Sequence, residues 1–552
     1  MSNSLSESPA WWKEAVFYQI YPRSFADSNG DGIGDLPGIT SKLDYLKELG
    51  IDGLWISPIY QSPNDDNGYD ISNYVAIGEE YGTLADFHQL TNGLKERGLR
   101  LILDQVLNHT SDEHAWFVES RSSRDNPKRD WYHWLDPKGY DAEGRPIPPN
   151  NWKSVFEGSV WEWDAKTEQF FLHLYSRKQP DLNWRNPAVR QALYEVLKTW
   201  AGRGADGFRL DVINQIAKRE GYADVPPRTG EPGELLLLDA LGCNNPPQTE
   251  YFEEMNREVF AGTELYAVGE TWFVGPENTL DLTAYEAHRL HGAFYFYFHL
   301  TSTGAENFRR FHELYQATRG KSWLTVTLGN HDSHRMISRF GDPERYPFAS
   351  ATLLATWLLT LPATPFLFQG DELGLTDILF DTVEEYRDIG MLNRYATDLA
   401  AGRSPTEALA EGQATTRDHS RTPMPWEDTP GAGFTTGEPW IGIPGRHRAL
   451  NAAAALANPR SVFHAYQKLL ALRKEVRSLV YGEFEPLAEP GKTLVYRRSA
   501  WEGHPAVCVA LNWSSEPQPW PIAPASPVLF SNYDGRDSSA MRPWEVLIYK
   551  EA

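Results

Sequence analysis

The chain has 552 residues, 41% hydrophobic and 23% charged, an ordinary balance for a soluble folded protein of more than one domain. Its formal charge is −23, from 75 acidic against 52 basic residues, and such a surface repels polyanions. Nucleic acid and anionic membranes are therefore poor candidate partners, and a neutral or cationic small substrate is easier to accommodate. The two cysteines, Cys243 and Cys508, lie far apart and are expected to be buried thiols, with no disulfide framework and no metal-binding pair.

The N-terminal stretch lacks a basic segment followed by an apolar one, and no apolar run approaches the length of a membrane span. A cytoplasmic protein with no obligate protein partner is expected. The first strand-like segment is 15–21, AVFYQIY, and DSNGDGIGDLP follows at 27–37. That stretch matches the first half of an EF-hand loop, but its twelfth position is Gly38 where a bidentate Glu is needed. Further strand-like runs come at 52–57, 99–104, 206–211, 265–270, 293–298, 323–330 and 364–370. Between most of them lie stretches with apolar spacing of three and four closed by Gly, such as SKLDYLKELG and ALYEVLKTWAGRG.

Eight such β-α units make up a (β/α)8 TIM barrel, although a doubly wound open sheet shares the alternation. On the barrel reading, 1–104 and 177–478 form the catalytic barrel. An inserted, loop-rich subdomain rich in Trp, Pro and Gly fills 105–176, after strand 3. A second loop-rich subdomain spans about 375–445. Past Leu479 short alternating strands (TLVYRR, AVCVALNW, WEVLIYK) predict a C-terminal antiparallel β-sandwich over 479–552.

Chemistry in such a barrel gathers at the C-terminal ends of the strands. Those ends carry Asp104 with Asn108 and His109, then Arg209 and Asp211, then Glu270, and finally His331 and Asp332. Each acid taken singly is also what a helix N-cap requires; several converging on one pocket would be costly to bury unless they are used. A carboxylate pair can run glycosyl transfer, one as nucleophile and the other as acid and then base. Arg209 lies two residues before Asp211, on the same side of the strand, and is expected to keep that carboxylate ionised.

DQVLNH (104–109), GFRLDVIN (207–214), VGET (268–271) and NHD (330–332) resemble the four ordered signature regions of the α-amylase family, glycoside hydrolase family 13. QPDLN (179–183) and FQGDELG (368–374) resemble two further signatures of that family. The resemblance implies Asp211 as nucleophile, Glu270 as general acid/base and Asp332 as transition-state stabiliser. His109, Arg209 and His331 would line the subsite for the cleaved glucose, and products would retain the α configuration.

Within that family, QPDLN and SPNDDNGYDISNY (62–74) resemble the oligo-1,6-glucosidase and dextran glucosidase branch. There Asp66 would grip the terminal sugar and Tyr69 would stack beneath it, with either Arg417 or Arg421 paired to Asp66. Such a closed pocket implies exo-action on small oligosaccharides. Val212, after the nucleophile, resembles α-1,6-specific members, and Trp272 resembles the dextran glucosidases. In relatives of this branch the 27–35 loop binds a structural Ca2+, here through Asp27, Asn29, Asp31, the Ile33 carbonyl and Asp35. The competing expectations are an α-1,4-preferring glucosidase and a glucosyltransferase or isomerase on the same fold.

Overall fold

The computed structural model describes residues 9–225, 247–272, 274–296, 301, 303–521, 527–535 and 539–551. Cys243 and the end of the strand predicted at 293–298 lie outside them. Eight parallel strands close into a barrel in chain order: β1 Phe17–Ile20, β2 Gly53–Ile56, β3 Arg100–Val106, β4 Gly207–Asp211, β5 Tyr266–Thr271, β6 Gly292–Tyr295, β7 Leu324–Thr327 and β8 Ala363–Phe368. Pairing of Phe17 with both Gly53 and Phe366 completes the ring, so the open-sheet alternative is set aside.

Large side chains fill the interior. Phe17, Trp55, Ile102, Tyr266, Val268, Phe294 and Phe366 form one buried cluster. Trp12 plugs its N-terminal end, stacked on Tyr266 at 5.1 Å between ring centroids. Because side chains alternate along a strand, inward Ile102, Arg209 and Val268 place Asp104, Asp211 and Glu270 inward at the opposite, C-terminal rim.

The helices around the barrel start where the sequence supplies caps. Thr83 and Asp86 form a reciprocal capping box on Leu84–Glu96, and Asn186 caps Pro187–Gly202. Helix Pro347–Thr360 is apolar all round and nearly all buried, because it is packed between the barrel and the C-terminal domain.

Between β3 and β4 the chain builds a three-stranded antiparallel sheet of Trp134–Leu135, Gln169–Leu172 and Trp161–Asp164. The stretch after β8 departs from the loop-rich expectation. It contains two helices, Ile389–Ala400 capped by Asp388 and Pro405–Gln413 opened by a Ser404–Glu407 capping box. Short helices with interspersed Gly, Pro and Thr read as loops until their caps are recognised.

The C-terminal domain is a five-stranded antiparallel sheet of β9 Phe484–Pro486, β10 Thr493–Arg498, β11 Val507–Asn512, β12 Val528–Ser531 and β13 Val546–Lys550, in order β9-β10-β11-β13-β12. One face joins the main core; the other is covered by Trp520 and Met541, so among the described residues the second layer is a pair of bridged segments and not a full sheet. Cys508 is a free, buried thiol.

The seam between barrel and sheet is fastened by arginines that donate to carbonyls. Arg473 Nη1 donates to Leu359 O (2.8 Å), Leu361 O (3.1 Å) and Leu479 O (3.1 Å), and Nη2 to Ala363 O (2.6 Å). Arg498 donates to Leu479 O (2.6 Å) and also to the Thr360 carbonyl. Burial pushes these guanidinium groups down, to about 10 for Arg473 and about 9 for Arg498. Replacing Arg473 with Met removes four hydrogen bonds, but Leu479 O keeps Arg498 and Leu361 O keeps Ala363 N as donors, so at about 1 kcal/mol for each of the other two the expected loss is roughly 2 kcal/mol. A scanning-calorimetry midpoint unchanged in Arg473→Met would contradict that role.

Candidate active site

Arg209 stands at the centre of the rim and is 0% exposed. Its Nη1 donates to Asp104 Oδ1 at 2.8 Å and to Asp211 Oδ1 at 2.5 Å, while Nη2 lies 2.7 Å from Glu270 Oε2. Trp55 offers its ring face 5.1 Å from the guanidinium carbon. One cation thus serves three buried carboxylates. Burial pushes Asp104 up to about 6 despite Arg209. Burial also drives Asp211 well above the usual carboxylate range, with Glu270 and Asp104 adding repulsion and Arg209 opposing them. Arg209, expected to keep Asp211 ionised, thus divides its charge among three carboxylates.

Val212 follows Asp211 in a left-handed conformation, φ 37° and ψ 39°, which a β-branched residue rarely adopts. The turn has a use. It aims the Val212 N–H at Glu270 Oε2, 3.0 Å away. Two residues on, Asn214 donates to Trp272 O (2.7 Å) and accepts from Trp272 N (3.2 Å), tying the loop after β4 to the end of β5. The Trp272 ring leans on Phe296 at 4.6 Å between centroids.

Asp332 lies beyond β7 and is held from the other side. Its Oδ1 accepts from Arg421 Nη2 at 2.6 Å, and its Oδ2 is 3.2 Å from His331 Nε2. Burial works against its ionisation, but His331, Arg421 and Arg417 outweigh it and hold the carboxyl below its ordinary range. His331 is pushed down to about 3, chiefly by burial. Gln19 Nε2 lies 2.7 Å from its Nδ1 and Tyr69 Oη 2.6 Å from its Nε2, and the Tyr69 hydroxyl donates to Asp104 Oδ2 at 3.0 Å. A continuous hydrogen-bonded path thus links Gln19, His331, Tyr69 and Asp104. The rings of Tyr69 and His331 are parallel, 5.3 Å apart.

The choice between Arg417 and Arg421 is made by distance. Arg417 Nη2 donates to Asp66 Oδ1 at 3.0 Å and lies 2.6 Å from Asp388 Oδ1, whereas Arg421 belongs to Asp332 and also donates through Nε to His331 O at 2.9 Å. Gln179, from the QPDLN stretch, reaches Asp66 Oδ2 (3.3 Å) and His109 Nε2 (3.2 Å). Burial lowers His109 to about 4, so it is neutral.

These groups enclose a cavity of about 150 Å³, bounded by Asp66, Tyr69, Asp211, Glu270, Asp332 and Arg417, with Phe156 and Tyr175 from the insert over it. A cavity of roughly that size accepts one six-membered ring. Every catalytic and substrate residue singled out in the sequence falls on this cavity or in direct contact with a residue that lines it. Sequence reasoning missed Asp388, Gln19 and Phe156, which lie in no recognisable signature, and gave Gln179 no role although it sits inside one.

The 27–35 residues form a separate loop after β1. Asp27 Oδ1 accepts from Asn29 N and Gly30 N, and Oδ2 from Gly32 N and Thr435 Oγ1 (2.5 Å). Asp31 Oδ1 accepts from Ile33 N (2.8 Å), and Asp35 caps the helix Leu36–Ser41. Gly32 has φ 90°, and a Cβ there would lie 1.8 Å from the Glu438 carbonyl, so the loop is docked tightly on 434–440.

A buried carboxylate pair with a third acid across a ring-sized cavity is the equipment of an enzyme that moves glycosyl groups. Residues 19–482 match the alpha-amylase catalytic domain, and the chain belongs to the alpha-amylase family of glycoside hydrolases. It is 43% identical to an oligo-1,6-glucosidase of Parageobacillus thermoglucosidasius, over 98% of this chain and 99% of that one. It is 42% identical to an alpha-glucosidase of Pediococcus pentosaceus, with 98% and 99% covered. Among solved structures, an isomaltulose synthase from Klebsiella sp. LX3 superposes with a TM-score of 0.92 at 39% identity, covering 98% and 99%. Among the described residues, no helix is long and apolar enough to cross a membrane.

The Arg209 cluster makes opposite predictions for its members. Arg209→Met strands buried carboxylates without a cation and is expected to cost about 3–5 kcal/mol of stability. Asp211→Asn removes one repelling charge and is expected to leave the melting temperature unchanged or higher. Melting curves of the two variants side by side decide the matter; a destabilised Asp211→Asn would refute the shared-charge account.

Proposed function

We propose that the protein is a retaining, exo-acting α-glucosidase that removes glucose from the non-reducing end of α-1,6-linked oligosaccharides. The observation that carries the reading is the cavity: it has room for one ring, and the Asp66–Arg417–Asp388 ion network closes it. A blind pocket of this kind admits a chain end and excludes a chain interior.

Asp211 attacks the anomeric carbon, and the bond to the aglycone oxygen breaks as Glu270 delivers a proton to that oxygen. Glu270 then removes a proton from water, which displaces Asp211 and releases glucose with its α configuration. Two nitrogens of one guanidinium hold both carboxylates, which supports the close spacing of about 5–5.5 Å that a retaining pair uses; an inverting pair stands about 6.5–9.5 Å apart. Asp332, kept ionised, accepts hydrogen bonds from sugar hydroxyls as positive charge develops on the ring.

The linkage assignment rests on Val212 beside Glu270 and on relatives named oligo-1,6-glucosidase at 41–43% identity. Glucose release from isomaltose is expected to exceed that from maltose, and Asp211→Asn to lose roughly ten-thousand-fold in rate. Maltose preferred over isomaltose would overturn the linkage. The likeness to an isomaltulose synthase favours glucosyl transfer as a second reading, and conversion of sucrose into an isomer instead of glucose release would establish it.

We also propose that the 27–35 loop holds one Ca2+. Three carboxylates, an amide oxygen and the Ile33 carbonyl form a set of hard oxygen donors of the right kind, and the docking on 434–440 gives such a clip something to fasten. Calcium is expected to raise the melting temperature after chelation, and the exposed Asp31, replaced by Ala, to abolish that rise. An equal rise in Asp31→Ala would place the calcium elsewhere.

A further inference from the structure

Outside the cavity, His334, Asp377 and His419 bring three donor atoms within 4.8 Å of one another. They come from the loop after β7, the loop after β8 and the segment bearing Arg417 and Arg421. The imidazole rings lie face to face, 4.5 Å apart between centroids and 28° from parallel. His334 Nδ1 is 2.6 Å from Asp377 Oδ2.

His334 Nε2 lies 3.1 Å from Ala414 O, and His419 Nε2 lies 2.7 Å from Gln413 O. A carbonyl only accepts, so each Nε2 carries the proton, and the donor lone pair of each ring is on Nδ1. His419 Nδ1 meets only a long contact from Ile378 N, 3.3 Å. Asp377 is oriented in turn: its Oδ1 accepts from Arg335 N at 2.7 Å, which leaves Oδ2 for the shared space. Histidine ligands whose far N–H is fixed by a backbone carbonyl, beside a hydrogen-bonded carboxylate, are the outer shell of a transition-metal site.

We propose that His334 Nδ1, His419 Nδ1 and Asp377 Oδ2 bind a divalent transition metal of the zinc type, at a site distinct from the calcium loop. Two imidazoles and one carboxylate suit Zn2+ and its neighbours and are poor ligands for Ca2+ or Mg2+. Binding displaces the proton shared by His334 and Asp377 and leaves a fourth position open on the side where His334 is 37% exposed. The ion would join His334, two residues past Asp332, to His419, which lies between Arg417 and Arg421. It would therefore stiffen the wall that holds the proposed stabiliser.

The test uses untagged full-length protein, stripped with chelator and kept in saturating Ca2+, titrated with ZnCl2 by calorimetry and with CoCl2 by visible absorption. One Zn2+ per chain, a melting temperature raised by a few degrees and a tetrahedral Co2+ spectrum are expected. His334→Gln, partly exposed and able to keep the fold, and Asp377→Asn should each weaken binding at least tenfold. Absence of binding, or equal binding in both variants, would overturn the proposal.

Discussion

The structure depends on a single buried guanidinium. Arg209 is shared by Asp104, Asp211 and Glu270, which come from three neighbouring strands, and the parallel register of β3 and β4 sets Arg209 directly beside Asp104. Three acids cannot all be charged around one cation in a dry site. Burial, with mutual repulsion added, raises Asp104 and Asp211 above the ordinary carboxylate range, and Arg209 opposes it.

Around that centre, the barrel supplies the floor and the insertions supply the walls. The insert brings Phe156 and Tyr175, and Gln179 follows it; the stretch after β8 brings Asp388, Arg417 and Arg421. The two are latched to one another, with Asn393 donating to Phe156 O at 3.1 Å. A second latch, the fully buried Lys218–Asp181 pair at 2.8 Å, fixes the segment that follows the insert to the loop after β4. Breaking either partner of a buried pair leaves a charge without compensation, so these latches hold the walls in one place.

One strained backbone position lies where chemistry is proposed. Val212 occupies a backbone region that its branched side chain disfavours, and its amide is thereby turned onto Glu270. Its side chain is a marker of linkage by resemblance. Its backbone is the better-supported contribution, because a hydrogen bond to the oxygen of Glu270 bears directly on where that acid sits.

Much of this was legible in the chain. Eight strand-like runs, the acids at their ends and the placement of the insert all follow from patterns local in sequence, since strand alternation and helix caps are set by near neighbours. What sequence left open was whatever depends on partners hundreds of residues apart: Arg417 rather than Arg421 on Asp66, Arg209 shared and not devoted to Asp211, and Asp388 behind Arg417. The helices at 389–413 were hidden for the opposite reason, since short capped helices carry little periodicity. Sequence by itself determined which residues could do chemistry and the order in which the barrel presents them. Tertiary structure alone decided which charges meet, because side-chain pairing is fixed by barrel closure and by the packing of the inserts, and neither is written in local spacing.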